Sequence, residues 1–424
     1  MTHNSNRRNV ILLSLTLGVV MLGFGMIMPI MPFYVESMGA SASELGLLVA
    51  ISPFIQLVAS PLWGSVSDRR GRKPVLAIGL LGYGISMLLF GLATELWMLF
   101  AARGVGALLS AATMPTTMAY VGDSTAEEER GGGMGALGAA MGLGMVLGPA
   151  LGGLLGSASL STPFFLTAGV CLLTLVLVLL FLPESLPVEA RRQTTVKVKP
   201  TAQIRDLWQA LVGPLGVLLF MAFLVSFGLT NFQGIFGYYA LKKFGYGTEE
   251  VGWILTVVGI VSALTQGALT GPLTKRWGET TVIKATLLAS AITFGLLLTA
   301  TNLVTVLITT ALFTLPNALL RPAVISLTSR HAGDRQGAAM GLNNSFNSLG
   351  RVAGPIWAGF AFDWNYNLPY LSGAVVMFAG FLASLAWVSQ ERRQAGTARR
   401  RRAEDFHRAP QVHDPRSAHE ERHK

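Results

Sequence analysis

Long stretches without a single charged side chain limit what this chain can become. Val10–Val35, Leu45–Ser67, Pro74–Thr94, Leu207–Leu241, Val251–Thr274 and Trp364–Gln390 contain no Asp, Glu, Lys or Arg. Each exceeds the ~18 residues that mark a helix able to cross a bilayer. Gly131–Pro183 is also uncharged and holds two such spans, folded at the turn-rich Gly156-Ser-Ala-Ser-Leu-Ser-Thr-Pro163; Ala285–Leu320 holds two more, with a break near Thr301-Asn302. Two further spans carry one arginine each, Arg103 and Arg351. The expected fold is an all-α membrane protein with twelve transmembrane helices. Composition agrees, because only 13% of the residues are charged where soluble domains run at about 25%. The lone Cys171 forms no internal disulfide, so a bridged secreted scaffold is excluded.

Basic residues set the orientation. An even number of spans puts both termini on one side. With that side cytoplasmic, 27 of the 32 Lys and Arg fall in cytoplasmic segments, and only Lys242 and Lys243 in outer loops. Such a bias is the positive-inside pattern. The net charge of +10 thus reports topology and gives no footprint for nucleic acid. Arg7-Arg8 before an apolar run mimics a signal peptide, but the run is too long for one and reads as the first span. The expected plan is a cytoplasmic N-terminus (1–9), a first six-helix bundle (10–183), a cytoplasmic linker (184–206), a second bundle (207–390) and a disordered basic cytoplasmic tail (391–424). Arg399–Arg402 in that tail are either a solvated extension or a contact for anionic headgroups.

The chain repeats itself at an offset of about 206 residues. Glu44-Leu-Gly46 returns as Glu250-Val-Gly252, Gly131-Gly-Gly-Met-Gly135 as Gly337-Ala-Ala-Met-Gly341, and Gly148-Pro149 as Gly354-Pro355. Gly64 and Gly71 match Gly271 and Gly278 one position further on, and Phe33-Tyr34 matches Tyr238-Tyr239. Six spans were therefore duplicated in parallel, the plan of carriers that rock two bundles about a site near the membrane midplane.

Several of these segments resemble a known family. Gly64-Ser-Val-Ser-Asp-Arg-Arg-Gly-Arg-Lys73 resembles the loop signature of the major facilitator superfamily, and Arg103-Gly-Val-Gly106 its span-4 arginine motif, with Gly where Gln is usual. Gly148-Pro-Ala-Leu-Gly-Gly153 resembles the motif of its drug:proton antiporters. Asn317-Ala-Leu-Leu-Arg-Pro-Ala323 and Gly333-Asp-Arg-Gln-Gly337 are similar to twelve-span bacterial multidrug pumps that export fluoroquinolones. The resemblance covers roughly residues 10–390. It implies a monomeric multi-pass protein of the bacterial cytoplasmic membrane whose partners are small amphipathic substrates, protons and lipid. It implies no enzymatic activity, no cofactor and no metal.

Each piece suggests a chemistry. Asp68 stands among Arg69, Arg70, Arg72 and Lys73. By the resemblance, Asp68 faces the start of span 11 and Arg72 pairs with Asp123, latching the inner helix ends until Asp68 is protonated; the alternative is a solvated positive-inside loop. Gly64, Gly71 and Arg69 complete that motif. Gly148, Pro149, Gly152 and Gly153, with Gly354 and Pro355 one repeat later, strip side chains from a helix at a bend, which fits either a pivot or tight packing. Gly133-Met-Gly-Ala-Leu-Gly138 fits a dinucleotide fingerprint as text only, and no Gly-x4-Gly-Lys-Ser/Thr supports ATP-driven transport.

Arg103 and Arg321 are costly in a membrane, at least ~2.5 kcal/mol near a helix centre, so each must face a cavity, a carbonyl or an acid. The candidate substrate pocket takes Phe24 and Met28 from span 1, Gln56 from span 2, and Arg103 and Met114 from span 4. Span 7 adds Phe232, Gln233, Phe236 and Tyr239, span 10 adds Asn317 and Arg321, and span 11 adds Asn343 and Phe346. Methionines and aromatics accommodate flat apolar cations, but they also serve ordinary helix packing. The pattern departs from the resemblance where cation exporters carry membrane acids, because those places hold Gln233 and Ala318. Glu36, Asp123 and Asp363 lie at span edges. Substrates are then neutral, zwitterionic or anionic with Arg103 or Arg321 as countercharge, and proton coupling runs through Glu36 or Asp68 or is absent. The expected function is multidrug efflux by proton antiport. The alternatives are an uncoupled exporter or facilitator of one metabolite or lipid, and a non-transporting sensor or scaffold.

Overall fold

Proline and turn chemistry explain where the helices of the computed structural model begin, bend and stop. The structure describes residues 3–191, 209, 211–213, 215–333 and 336–386. The linker beyond residue 191, Asp334-Arg335 and the tail from 391 lie outside them. In chain order the helices are α1 (His3–Ser37), α2 (Ala42–Arg70), α3 (Arg72–Leu92), α4 (Leu96–Ser110), α5 (Thr113–Ser124), α6 (Glu127–Ala158) and α7 (Thr162–Phe181). The second repeat supplies α8 (Gly216–Phe244), α9 (Thr248–Leu264), a π turn (Thr265–Leu269), α10 (Thr270–Trp277), α11 (Glu279–Leu297), α12 (Leu303–His331) and α13 (Gln336–Trp364). Leu368–Ala386 forms the last described helix, α14.

Two expected spans are each interrupted. Pro115 has no N–H for the carbonyl of Ala111, and span 4 divides at Ala111-Ala112 into α4 and α5. Pro272 has the same effect on span 8, where the Thr270 amide reaches back five residues to the Thr265 carbonyl. Elsewhere the turns fall where the sequence places them. α6 ends at Ala158, α7 begins at Thr162, and Asn302 caps α12 by accepting from the Thr305 amide.

Eleven stretches of the described helices are long and apolar enough to cross a membrane. The helix outside that set is α13, 29 residues long, whose Asn343, Asn344, Asn347 and Arg351 dilute its hydropathy. Leu173, Leu180, Ile292 and Val375 stand exposed, as suits a surface solvated by lipid tails.

Packing follows the repeat. Contacts gather Met1–Phe381 into one compact unit; the second, Leu382–Lys424, has only the end of α14 among its described residues. α1 packs on α6, and α8 packs on α13 one repeat later. Across the repeats, α2 meets α13 and α6 meets α9. In the first repeat Phe164 stacks on Phe90 and meets Tyr34 at a tilt. Phe232, Phe313, Phe294, Phe236 and Tyr370 fill the second, with centroids 4.6 Å apart for Phe232–Phe313 and for Phe294–Phe313.

Candidate functional site

Glycines bring the two repeats into backbone contact at one end. A Cβ on Gly46 would strike the carbonyl of Pro355, and a Cβ on Gly252 would strike that of Pro149. Likewise Gly153 lies against the Thr248 carbonyl, and Gly359 against that of Ala42. Each contact is the other's image one repeat along, so the matched sequence segments form one pseudo-two-fold interlock. Gly148 and Gly152 serve the packing within a repeat, against Gly25 and Met26 of α1; Gly354 does so against Phe227 and Thr230 of α8.

Polar groups close this same end. Lys242 Nζ stands 2.6 Å from Glu36 Oε1, joining the ends of α8 and α1. Tyr238 donates its hydroxyl to the Ala40 carbonyl at 2.6 Å. Asp363 accepts from the Ala42 and Ser43 amides, both at 3.1 Å, and so caps α2 from the other repeat. Toward the basic loops the same helices part. Gly259 still touches Met145 and Val146, but Gly138, Gly142, Gly267, Gly271, Gly337 and Gly341 have nothing within 4 Å of where a Cβ would stand. The close glycine contacts between the repeats thus gather toward the Glu36 end, and these glycines nearer the basic loops take no part in them.

At the basic end one cation holds two carboxylates. Arg72 Nη1 lies 2.6 Å from Asp68 Oδ1, and Arg72 Nε donates to Asp123 Oδ2 at 2.8 Å, with the Arg72 side chain only 9% exposed. Arg72 Nη1 also donates to Ser67 Oγ at 3.1 Å. The Arg72–Asp123 pair is therefore present as expected. Asp68 is held by Arg72, while the start of α13 that it was expected to face borders residues outside the description. Glu184 was not singled out by the sequence, yet it accepts from the Arg72 amide at 2.8 Å and the Lys73 amide at 3.2 Å. It caps α3 because the residue ahead, Gly71, has no side chain; at φ 103° and with Glu184 packed where a Cβ would stand, only glycine fits there. Gly64 stands in open space. Arg69 is exposed.

Three arginines lie inside the spans. Arg103 sits 6.0 Å from the Phe90 centroid, and its Nε is buried with no hydrogen-bond partner. Phe90 is fixed in turn by its stack on Phe164. Arg351 is half-buried and Arg321 exposed. None of the three forms a hydrogen bond or ion pair among the described residues, so Arg103 caps no helix carbonyl. Asp and Glu in the described spans lie near their ends, consistent with the uncharged runs.

The other pocket candidates divide by exposure. Phe24, Met28, Gln56 and Gln233 are half-buried and Met114 is exposed, as lining residues would be. Phe232 and Phe236 belong to the second repeat's aromatic core, and the Tyr239 hydroxyl accepts from Lys243 Nζ at 2.7 Å. Asn317 Nδ2 donates to the Phe313 carbonyl of its own helix, and Asn343 and Phe346 are buried. Asn347 accepts from Ser226 Oγ at 2.6 Å, binding α13 to α8. In this conformation those side chains serve packing.

Comparison with known proteins agrees with this architecture. The Major Facilitator Superfamily model matches twice, over residues 13–222 and 218–418. The chain is 33% identical to multidrug resistance protein 2 of Bacillus subtilis (strain 168), over 91% of this chain and 96% of that protein. It is 27% identical to the quinolone resistance protein NorA of Staphylococcus aureus (strain COL), over 89% of this chain and 96% of that protein. Among solved structures it is similar to the human organic anion transporter MFSD10 (TETRAN), with a TM-score of 0.66 and 23% identity over 89% of this chain and 99% of that one.

Proposed function

The chain belongs to the Major Facilitator Superfamily, a family of transporters rather than enzymes, and from that membership we propose a specific activity. It is a multi-pass secondary transporter of the bacterial cytoplasmic membrane, with twelve crossings and cytoplasmic termini, that exports small amphipathic compounds by proton antiport. It works as a monomer through alternating access of two six-helix bundles, 10–183 and 207–390. The observation that carries this reading is the duplicated glycine interlock, which joins the repeats at one end and leaves the other free. A scaffold has no use for paired helices that touch backbone to backbone at one end only, whereas a rocking carrier needs a close-packed fulcrum. The relatives named for multidrug and quinolone resistance support an outward direction and a broad substrate range.

In the cycle, the conformation described is inward-facing. Glu36–Lys242, Tyr238–Ala40 and the Asp363 cap hold the outer end shut. Reversal opens these contacts and brings the inner ends together, where Asp68, released from Arg72, meets the start of α13. Protonation of Asp68 then loosens the inner latch and protonation of Glu36 the outer one, so proton occupancy biases which end is open.

Proteoliposomes loaded with a pH dye test this. Addition of an amphipathic drug panel is expected to move protons only when substrate is present, and Asp68→Asn is expected to abolish the movement at normal expression. Substrate flux indifferent to a proton gradient sinks the antiport claim. That outcome favours the second reading, an uncoupled exporter or facilitator of one metabolite or lipid, which the absence of an acid deep in the described spans supports.

A further inference from the structure

The closed end is one plan used twice, and the two uses differ in their polar groups. In the register that relates Gly148-Pro149 to Gly354-Pro355, Asp363 corresponds to Ser157. Ala42 and Ser43, whose amides Asp363 caps at 3.1 Å, correspond to Thr248 and Glu249. Ser157 has no carboxylate, and its hydroxyl donates at 2.7 Å to the Leu154 carbonyl of its own helix. Among the described residues no side chain of the first repeat caps the start of α9. Tyr238, which donates to the Ala40 carbonyl, matches Phe33, which has no hydroxyl to give.

Both replacements line the same cavity. It has a volume of about 780 Å³ and lies between the ends of α1 and α6 and the start of α9, with Phe33, Glu36, Ser157, Leu160, Thr248 and Glu249 in its walls. These include the residues that match Asp363 and the two amides it caps. What joins the repeats beside the cavity is the Gly153–Gly252 backbone contact, the Thr248 hydroxyl on the Gly153 carbonyl at 3.1 Å and the exposed Glu36–Lys242 pair. Glycine contacts supply dispersion, and an exposed ion pair contributes little. On the other side a carboxylate accepts two amide protons at a helix start, which are charge-assisted bonds that the helix dipole reinforces. The polar bonding of the closed end is therefore concentrated between α2 and α13, while the side between α6 and α9 is less bonded and less filled.

We propose that the closed end opens on one side first: α6 and α9 part, the cavity between them widens into the exit through which substrate leaves, and the α2–α13 side is the hinge, its Asp363 and Tyr238 contacts parting last. The inference rests on the transporter reading and adds a route to it. Ser157 and Phe33 act through the groups they lack, which decide the side that yields.

Paired cysteines tie one side at a time in the full-length chain, reconstituted in lipid. Cys171 is buried and stays out of the reaction. A short bismaleimide joins Ser157→Cys to Glu249→Cys across the cavity, or the matching Asp363→Cys to Ser43→Cys across the other side. Counterflow of ethidium and norfloxacin is read for each pair against its own untied state. The cavity tie is expected to lower counterflow by about ten-fold or more, and the opposite tie by less than about two-fold. A second variant needs no tie. Phe33→Tyr with Ser157→Asp and Glu249→Ser copies the bonded side into the cavity. It is expected to slow counterflow about ten-fold, the worth of one charge-assisted bond, and to melt higher than the parent. Two ties that act alike, a stronger block from the opposite tie, or parental counterflow in the triple variant each overturns the proposal. If a tie does not form, the triple variant decides alone. The untied parent separates the failures. Where it moves neither compound, the transporter reading falls; where it moves them and the two sides act alike, only the one-sided exit falls.

Discussion

Individual residues here are constrained by what stands opposite them, often far away in sequence. Arg72 is the clearest case, since one guanidinium satisfies Asp68, Asp123 and the Ser67 hydroxyl while its own amide is capped by Glu184. Removing the cation leaves two carboxylates facing each other. Arg72→Gln is expected to lower transport at least as much as Asp68→Asn and to lower the melting temperature, which Asp123→Asn in the same background partly restores; a double-mutant cycle on melting measures the coupling. Glu184→Ala removes only a cap, worth about 1 kcal/mol, and is expected to lower stability with initial transport rates kept. The Arg72–Asp123 pair was legible because the family resemblance implied it. Glu184 was not, because its partner lies 112 residues earlier and no local spacing marks it.

At the scale of elements, small residues and prolines decide how helices meet and bend. Gly46 and Gly252 have no room for a side chain against Pro355 and Pro149, whereas Gly64 has open space. Gly252→Leu is therefore expected to wedge α9 from α6, at a cost of about 1–3 kcal/mol to the closed end. Gly64→Leu is expected to be tolerated in folding. Thiol labelling of a cysteine placed at Ser157, at the closed end, measures the difference, with Gly252→Leu labelling faster and Gly64→Leu at the parental rate. Hydropathy marked nearly every long helix because a spanning segment must exclude charge. The interruptions at Ala111-Ala112 and Thr265–Leu269 were not marked, since a proline in an apolar run reads alike whether the helix kinks, tightens or breaks.

Over the whole molecule, the closed end is held by few polar contacts. The Glu36 and Lys242 side chains are 34% and 52% exposed, so their pair contributes no more than about 1 kcal/mol. Glu36→Gln is expected to shift the balance toward outward opening by up to about five-fold, and spin-label distances across the α1 and α8 ends report the shift. Lys242→Glu, which sets two acids together, is expected to shift it further, and the exchange Glu36→Lys with Lys242→Glu to restore it. An unchanged distance distribution in Glu36→Gln removes the pair as a latch.

The sequence by itself determined the class of the molecule, most of its long helices, the charge bias of its loops and the duplication. All of these are written in the order of residues along one chain: the bilayer enforces the uncharged runs and the loop charges, and the offset records the duplication. Only the tertiary structure decided that each Gly-Pro hinge packs on the Glu-x-Gly segment of the opposite repeat, and that Phe232 and Phe236, expected in a pocket, are buried in a packed aromatic group in this conformation. Those relations join helices from different repeats or from distant points within one, and a pattern read along the chain carries no information about which faces of two helices come together until they pack.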